Sequence, residues 1–337
     1  MANYKDLHGF EIKHRSSDPS NPIEGEIWYN TTTQTLKVAP KISAWASGGN
    51  MGTARYSMSG AGTQTAAIGA GGYLPGLSPF AGARNTEEYD GTSWTNGGDM
   101  NQGKHEMGQC CGTQTATLAS TGYAGTANLN NSEEYDGSSW TATGALNTAK
   151  RSVFRGMGTQ TAGACIGGKT DNPYPSFLTQ VEEYDGSSWT EVTDIPTATA
   201  GGACSGTQTA GLVFGGSSPS RNSTCLEYDG TNWTSGGSLP AARGAPQSSN
   251  GPGGTQTAAG QYGGSDSGGT KVTACNNYDG TSWSSIPSLG TAKQDGGGGG
   301  SQTAAIVFGG QNPGSPLRSN KTEEFTDAVT VRSVDTS

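Results

Sequence analysis

The chain has 337 residues, 56 of them Gly, and the residues AVILMFWYC make up only 31% of it. That composition serves helices poorly and suits short strands joined by many tight turns. A formal charge of −9, from 19 basic and 28 acidic residues, argues against nucleic acid and anionic membranes as partners.

No apolar run approaches the ~20 residues that span a bilayer, and the opening MANYKDLHGFEIKHR lacks the apolar core of a signal peptide. Residues 1 to about 20 are polar, mixed in charge and without period, and read as an arm that is loose until it docks. From Gly25, GEIWYNTTTQTLKVAP carries a β-rich run (Ile27, Trp28, Tyr29), turn residues from Asn30 to Gln34, then Leu36 and Val38 alternating on the return. This predicts a hairpin closed by Pro40. A lone two-stranded hairpin is marginal in water, so it is expected to pack on the rest of the chain, a neighbouring subunit or a larger assembly. Residues 1–44 are therefore taken as an attachment segment and 45–337 as the body.

Trp45 opens a repeat. The phrase VEEYDGSSWT at Val181 returns as EEYDGTSWT at Glu87, EEYDGSSWT at Glu133, LEYDGTNWT at Leu226 and NNYDGTSWS at Asn277, with a worn copy, EEFTDAVTV, at Glu323. Its aromatic heads are Tyr89, Tyr135, Tyr184, Tyr228, Tyr278 and Phe325, and the matching Trp series is Trp45, Trp94, Trp140, Trp189, Trp233 and Trp283. A second phrase keeps step: GTQTA at Gly62, Gly112, Gly158, Gly206 and Gly254, then GSQTA at Gly300. Two unrelated phrases repeating together, with a period in the forties, define one unit used six times and point to propellers or arrays. Each unit predicts four strands: one leading to GTQT, one following it to a Gly pair, one carrying EEY and one carrying Trp. Asp-Gly supplies positive φ between the last two, and GTQT makes the tight link between the first two.

Two glycines ending a strand, then a Tyr, then a Trp five residues on, resembles the Kelch type of β-propeller, although Kelch repeats usually space Tyr and Trp more widely and place the Gly pair after a more apolar strand. The phrases GTQTA, FGG (in Val213–Gly216 and Val307–Gly310) and EEYDGSSWT are similar to repeat proteins of tailed, chiefly marine, bacteriophages. The hairpin GEIWYNTTTQTLKVA resembles a segment near the start of many phage tail and fibre proteins. The resemblance covers residues 25 to about 330. It implies an all-β fold: a six-bladed, Kelch-like β-propeller of four-stranded blades, first strands lining a central channel. Because the Trp series starts one step early and Phe325 lacks its own Trp, the strand at Trp45 is expected to complete the last blade, whose edge would otherwise stand unpaired. Ala328–Val331 is the rival for that place.

The sequence offers no catalytic, cofactor or metal site. Cys110, Cys111, Cys165, Cys204, Cys225 and Cys275 fall at different places in the repeat, without CxxC spacing, and are expected to be buried free thiols. His8, His14 and His105 stand away from any Cys pair, which argues against zinc, and no DxDxDG spacing offers calcium. The Asp-Gly-Trp phrase resembles the Asp-box of sialidases, SxDxGxxW, but puts Gly directly after Asp. The pairs Glu87-Glu88, Glu133-Glu134, Glu182-Glu183 and Glu323-Glu324 occupy adjacent strand positions, whose side chains point to opposite faces, so no pair can converge on one bond as acid and base. Arg55, Arg151 and Arg243 read as matching cations before the first strand, with Lys104 and Lys293 related. They either ring a channel mouth as an anion site or form repeat-wise salt bridges and turn caps; the second reading is favoured. The recurrent Tyr and Trp are read as packing between sheets.

The units differ most in the connection from second to third strand. Tyr73, Leu74, Leu77 and Phe80 in the first unit, and Tyr174, Phe177 and Leu178 in the third, put aromatic and apolar groups on such loops. These loops share one face of the ring and have the chemistry of a recognition surface; the alternative is that they tuck over their own blade. The expected function is a non-enzymatic phage virion protein of tail, fibre or capsid appendage, made in the host cytoplasm. It would attach to other virion proteins through residues 1–44, oligomerise there, and contact host-surface glycan or protein through its loops. A purely architectural virion component is the alternative, with a glycan-processing propeller far behind.

Overall fold

The structure, a computed structural model, describes residues 12–74, 76, 82–108, 110–171, 176–248, 254–314 and 317–334. All regular elements among them are β-strands. The chain clusters into two compact units, Trp45–Phe325 and Met1–Ala44 with Thr326–Ser337.

The smaller unit contains the expected hairpin, Ile27–Asn30 against Thr35–Val38. Asn30 Oδ1 caps its turn, accepting from the N–H groups of Thr32 and Thr33 at 3.0 Å. The hairpin is not left alone. Lys13–Arg15 joins it in parallel on one side and Arg332–Ser333 antiparallel on the other. In the described part of the arm, Lys13–Arg15 is docked as a strand, because pairing with Ile27–Asn30 satisfies backbone groups that a two-stranded ribbon leaves open. Trp28 is fully buried, its Nε1 donating to Asp18 Oδ1 at 3.0 Å.

Among the described residues of the larger unit lie six four-stranded antiparallel sheets. In the first, Ser59–Thr63, Ala66–Ala70, Thr86–Tyr89 and Trp94–Asn96 succeed one another across the sheet, the order the repeat predicts. The first strands of the others are Cys110–Thr113, Met157–Thr159, Ala203–Thr207, Gln247–Ser248 and Gly297–Gly300. Each touches the next, and Gly297–Gly300 touches Ser59–Thr63. Such crowding selects small side chains: a Cβ on Gly299 would stand 2.9 Å from the Gly62 carbonyl oxygen. Second strands such as Ala210–Phe214 and Ala304–Phe308 carry larger aliphatic groups and are buried almost throughout. The core is accordingly a set of clusters between neighbouring sheets, as where Ile68 of the first sheet joins Ala119 and Tyr135 of the second, with Met107 from the link before it. All six cysteines are free and buried, and burial pushes thiols such as Cys110 up to about 12.

The sixth sheet takes its fourth strand, Lys41–Ser47, from early in the chain, beside Thr322–Val329. Trp45 stands 5.2 Å from Phe325 between ring centroids, against 4.5 to 5.1 Å for the five Tyr–Trp pairs of the other sheets. Ala328 and Val329 belong to the third strand of this sheet, not its fourth. The Asp-Gly glycines have φ of +91° to +95°, where a Cβ is penalised. Their loops are four residues long, however: Tyr184 pairs with Trp189, and Asp185 Oδ1 accepts from the N–H groups of Ser187 and Ser188 at 2.9 and 2.8 Å. Those donors, led by the Ser188 N–H, hold the Asp185 carboxyl down at about 2.

Candidate recognition site

Most of the recurring residues are occupied in joining sheets. Nε2 of Gln64, Gln114, Gln160, Gln208, Gln256 and Gln302, the Gln of each GTQTA-type turn, donates at 2.7 to 2.9 Å to the backbone oxygen of Phe325, Tyr89, Tyr135, Tyr184, Tyr228 and Tyr278 in the preceding sheet. Sequence alone makes this Gln a turn residue; it is a staple. The Tyr hydroxyls also reach back, Tyr135 to Glu88 at 2.5 Å, Tyr184 to Glu134 at 2.7 Å and Tyr278 to Glu227 at 2.6 Å. Burial first, and then the facing carboxylate, raises Tyr135 to about 12. Trp140 and Trp189 Nε1 likewise donate to Thr86 and Ser132 hydroxyls at 3.0 Å.

The first Glu of each pair faces the other way, as strand alternation requires. It binds a cation of its own sheet: Arg55–Glu87 at 2.8 Å, Lys104–Glu133 at 3.3 Å, Lys150–Glu182 at 3.1 Å and Lys293–Glu323 at 3.0 Å, all essentially buried. It also accepts a backbone N–H, from Gly52, Asn101, Asn147 and Gly290 respectively, at 2.6 to 2.7 Å. These cations are salt-bridge partners, and the member in the third sheet is Lys150. Arg151, grouped with Arg55 and Arg243 on sequence, stands one place further on; two adjacent basic residues left the register ambiguous by one. The fourth sheet changes all three partners together, to Thr199, Leu226 and Pro196.

Positions that differ between units converge elsewhere. Two places after each cation position stand Ser57, Glu106, Ser152, Gly201, Ala245 and Asp295, and all six have left-handed backbone, φ +47° to +65°. For a non-glycine residue that conformation costs about 1–2 kcal/mol. Main-chain bonds hold it: Ser57 N–H to Asp295 O, Ser152 to Glu106, Gly201 to Ser152, Ala245 to Gly201 and Asp295 to Ala245, at 2.6 to 3.3 Å. All six line one cavity of about 430 Å³. Strained backbone gathered in one place, persisting because its surroundings fix it, points to a site.

Arg155 floors this cavity. Its Nη1 donates to Met58 O at 3.0 Å and Gly296 O at 2.9 Å, and its Nη2 to Asp295 Oδ1 at 2.9 Å, tying the third sheet to the first and sixth. Beside it, the space between Ser59, Gly60, Gln247, Ser248 and Gly297, which Arg155 also lines, leaves no room for a water molecule. Burial raises the Asp295 carboxyl above its ordinary range against the pull of Arg155. Glu106 shifts the other way: burial opposes, but Lys169 Nζ at 3.1 Å, Ser152 Oγ at 2.7 Å and Arg151 Nε at 3.3 Å outweigh it.

An aromatic arc adjoins. Tyr56 and Tyr73 lie 5.4 Å apart between centroids, Tyr73 and His105 5.9 Å, His105 and Tyr123 5.5 Å, with Arg318 over Tyr73 at 5.0 Å and Arg151 over Tyr123 at 4.4 Å. Of the loop residues singled out on sequence, Tyr73 is in this arc and Phe177 lines the cavity. Leu74 and Leu178 are half-buried, and the Leu178 N–H donates to Gly168 O at 2.9 Å. Leu77, Phe80 and Tyr174 lie outside the described residues. Sequence reading missed Glu106, Arg155, Lys169, Arg221 and Asp295. Glu106, Arg155 and Asp295 stand just before first strands, and Lys169 and Arg221 in the links that follow a Gly pair, where the units visibly disagree.

Among the described residues, the fold is all-β, of propeller-like four-stranded sheets, with a polar, charged cavity lined by the residues that precede their first strands. No family model matches the chain, and no curated protein matches it. Among solved structures it is similar to that of YjhT, with a TM-score of 0.66 at 13% identity, covering 84% of this chain and 99% of that one. That likeness bears on the fold alone.

Proposed function

We propose that Trp45–Phe325 is a closed, six-bladed, Kelch-like propeller, and that the chain is a non-enzymatic recognition protein displayed on the particle of a tailed bacteriophage. Closure is supported by first strands that touch in a cycle and by six Gln staples, of which Gln64 joins the first sheet to Phe325 in the sixth. Recognition is carried by one observation: most recurring residues are engaged in bonds between or within sheets, whereas the residues that vary from unit to unit meet around one open cavity. A rigid scaffold that varies where it is open suits binding. Both cavity carboxylates are already held by cations, which fits a binding wall better than a proton-transfer pair.

The virion reading is supported by the sequence phrases GTQTA, FGG and EEYDGSSWT and by the hairpin GEIWYNTTTQTLKVA. In it, residues 1–44 attach to other virion proteins and oligomerise, and the mouth contacts host-surface glycan or protein. Mass spectrometry of purified particles should find the chain as a stoichiometric component; its absence refutes display. Full-length protein should bind host cells, and Tyr73→Ala with Phe177→Ala should weaken binding about tenfold or more at unchanged melting temperature. Undiminished binding removes the mouth from recognition.

A further inference from the structure

We propose that the mouth takes a carboxylate-bearing sugar ring of the uronic acid class, with Arg221 as the carboxylate receptor; this rests on the reading of the mouth as a binding site. The other two cations that line the cavity, Arg155 and Lys169, are neutralised. Arg155 holds Asp295 at 2.9 Å, Lys169 and Arg151 hold Glu106, and Arg151 also holds Asp171 at 2.7 Å.

Arg221 differs. Among the described residues no carboxylate lies within ion-pair distance of it, yet it lines the cavity. It is fixed in place: Nε donates at 2.7 Å to Ser265 Oγ, a hydroxyl 1% exposed that also bonds Gly244 O at 3.2 Å. Its side chain lies over two glycines. A Cβ on Gly244 would stand 2.7 Å from Nε, and one on Gly269 3.6 Å from both Nη atoms. Holding Nε leaves the Nη side of a planar fork for a ligand, and that fork matches a carboxylate in two parallel bonds.

The rest of the wall suits a sugar. Ser57, Ser152, Ser217 and Gln294 offer neutral donors and acceptors for ring hydroxyls, and Phe177 and Val153 offer apolar surface for its C–H face. Glu106 and Asp295, being covered by cations, do not repel an incoming anion strongly. A cavity of about 430 Å³ lies within the size range of small-ligand sites.

Calorimetric titration of the full chain with glucuronate, galacturonate, glucose and inorganic sulfate tests this. A uronate should bind at least tenfold tighter than glucose. Arg221→Gln should remove that preference without lowering the melting temperature, and Gly244→Ala, which displaces the guanidinium while keeping its charge, should weaken uronate binding severalfold. Equal binding of glucose and glucuronate, undiminished uronate binding by Arg221→Gln, or sulfate binding without uronate binding each overturns the assignment while leaving the mouth a binding site. No saccharide binding, together with host-cell binding that still depends on Tyr73 and Phe177, overturns this inference alone. Host-cell binding indifferent to Tyr73 and Phe177 overturns the underlying reading as well.

Discussion

Lys150→Thr should destabilise the protein by about 3–5 kcal/mol, the usual effect of stranding one member of a buried ion pair. Both side chains of the Lys150–Glu182 pair are 0% exposed and their charged atoms are 3.1 Å apart, so Glu182 would be left buried and uncompensated. Adding Glu182→Leu removes that charge but leaves the Asn147 N–H, which now donates to Glu182 Oε2 at 2.7 Å, without that acceptor; a lost hydrogen bond costs about 0.5–1.5 kcal/mol. Adding Asn147→Pro removes the donor itself. The triple variant reproduces in the third sheet the trio Thr199, Leu226 and Pro196 of the fourth, and should return to within about 1 kcal/mol of the parent, since apolar replacement of a buried pair is often neutral. Urea unfolding at pH 7, followed by Trp fluorescence, measures the series. A single variant no worse than about 0.5 kcal/mol, the range of ordinary surface changes, or a triple variant no more stable than the single, would refute the coupling.

Gln160→Ala breaks the bond to Tyr135 O at 2.7 Å and should cost about 1–3 kcal/mol by stranding a buried acceptor, and Gln160→Glu, which cannot donate, should be no better; two unchanged urea midpoints would remove the staple. Phe325→Tyr should stabilise by about 1 kcal/mol, because Phe325 stands where other units present a hydroxyl to the preceding sheet, and Asn277 Oδ1 there is buried with no hydrogen-bond partner among the described residues; a lower midpoint contradicts this. Asp185 has a folded value near 2, below its ordinary 3.8, so its contribution is present above 3.8 and lost as pH falls through about 2. The melting temperature of Asp185→Ala should therefore lie below that of the parent at pH 6 and converge with it toward pH 2, and a gap independent of pH would count against the cap.

The four-strand unit, its order and its positive-φ turns were legible because strand alternation and Asp-Gly are local signals, repeated often enough to outweigh noise. How units meet was not. GTQTA shows that a Gln recurs but nothing in a period says that it reaches into the preceding sheet. The Glu pairs were read correctly as facing opposite ways, yet their partners, a cation within the sheet and a Tyr in the next, come from residues far off in sequence. Arg151 was misaligned by one residue because Lys150 is basic too. The mouth was half visible: Tyr73 and Phe177 sit on long variable loops and drew notice, whereas Glu106 and Asp295 sit in short links whose left-handed backbone no glycine announces.

The sixth sheet sets a timetable for synthesis. Lys41–Ser47 emerges early, yet the strand it pairs with begins only at Thr322, and at ~5–20 residues per second a ribosome needs roughly 14–55 s to travel between them. Loop-closure entropy rises only slowly with that separation, so the delay weighs on kinetics more than on final stability. A nascent or truncated chain lacking Thr322–Val329 carries unsatisfied strand edges that invite aggregation. Emergence of Thr322–Val329 is thus the step at which those edges can be closed.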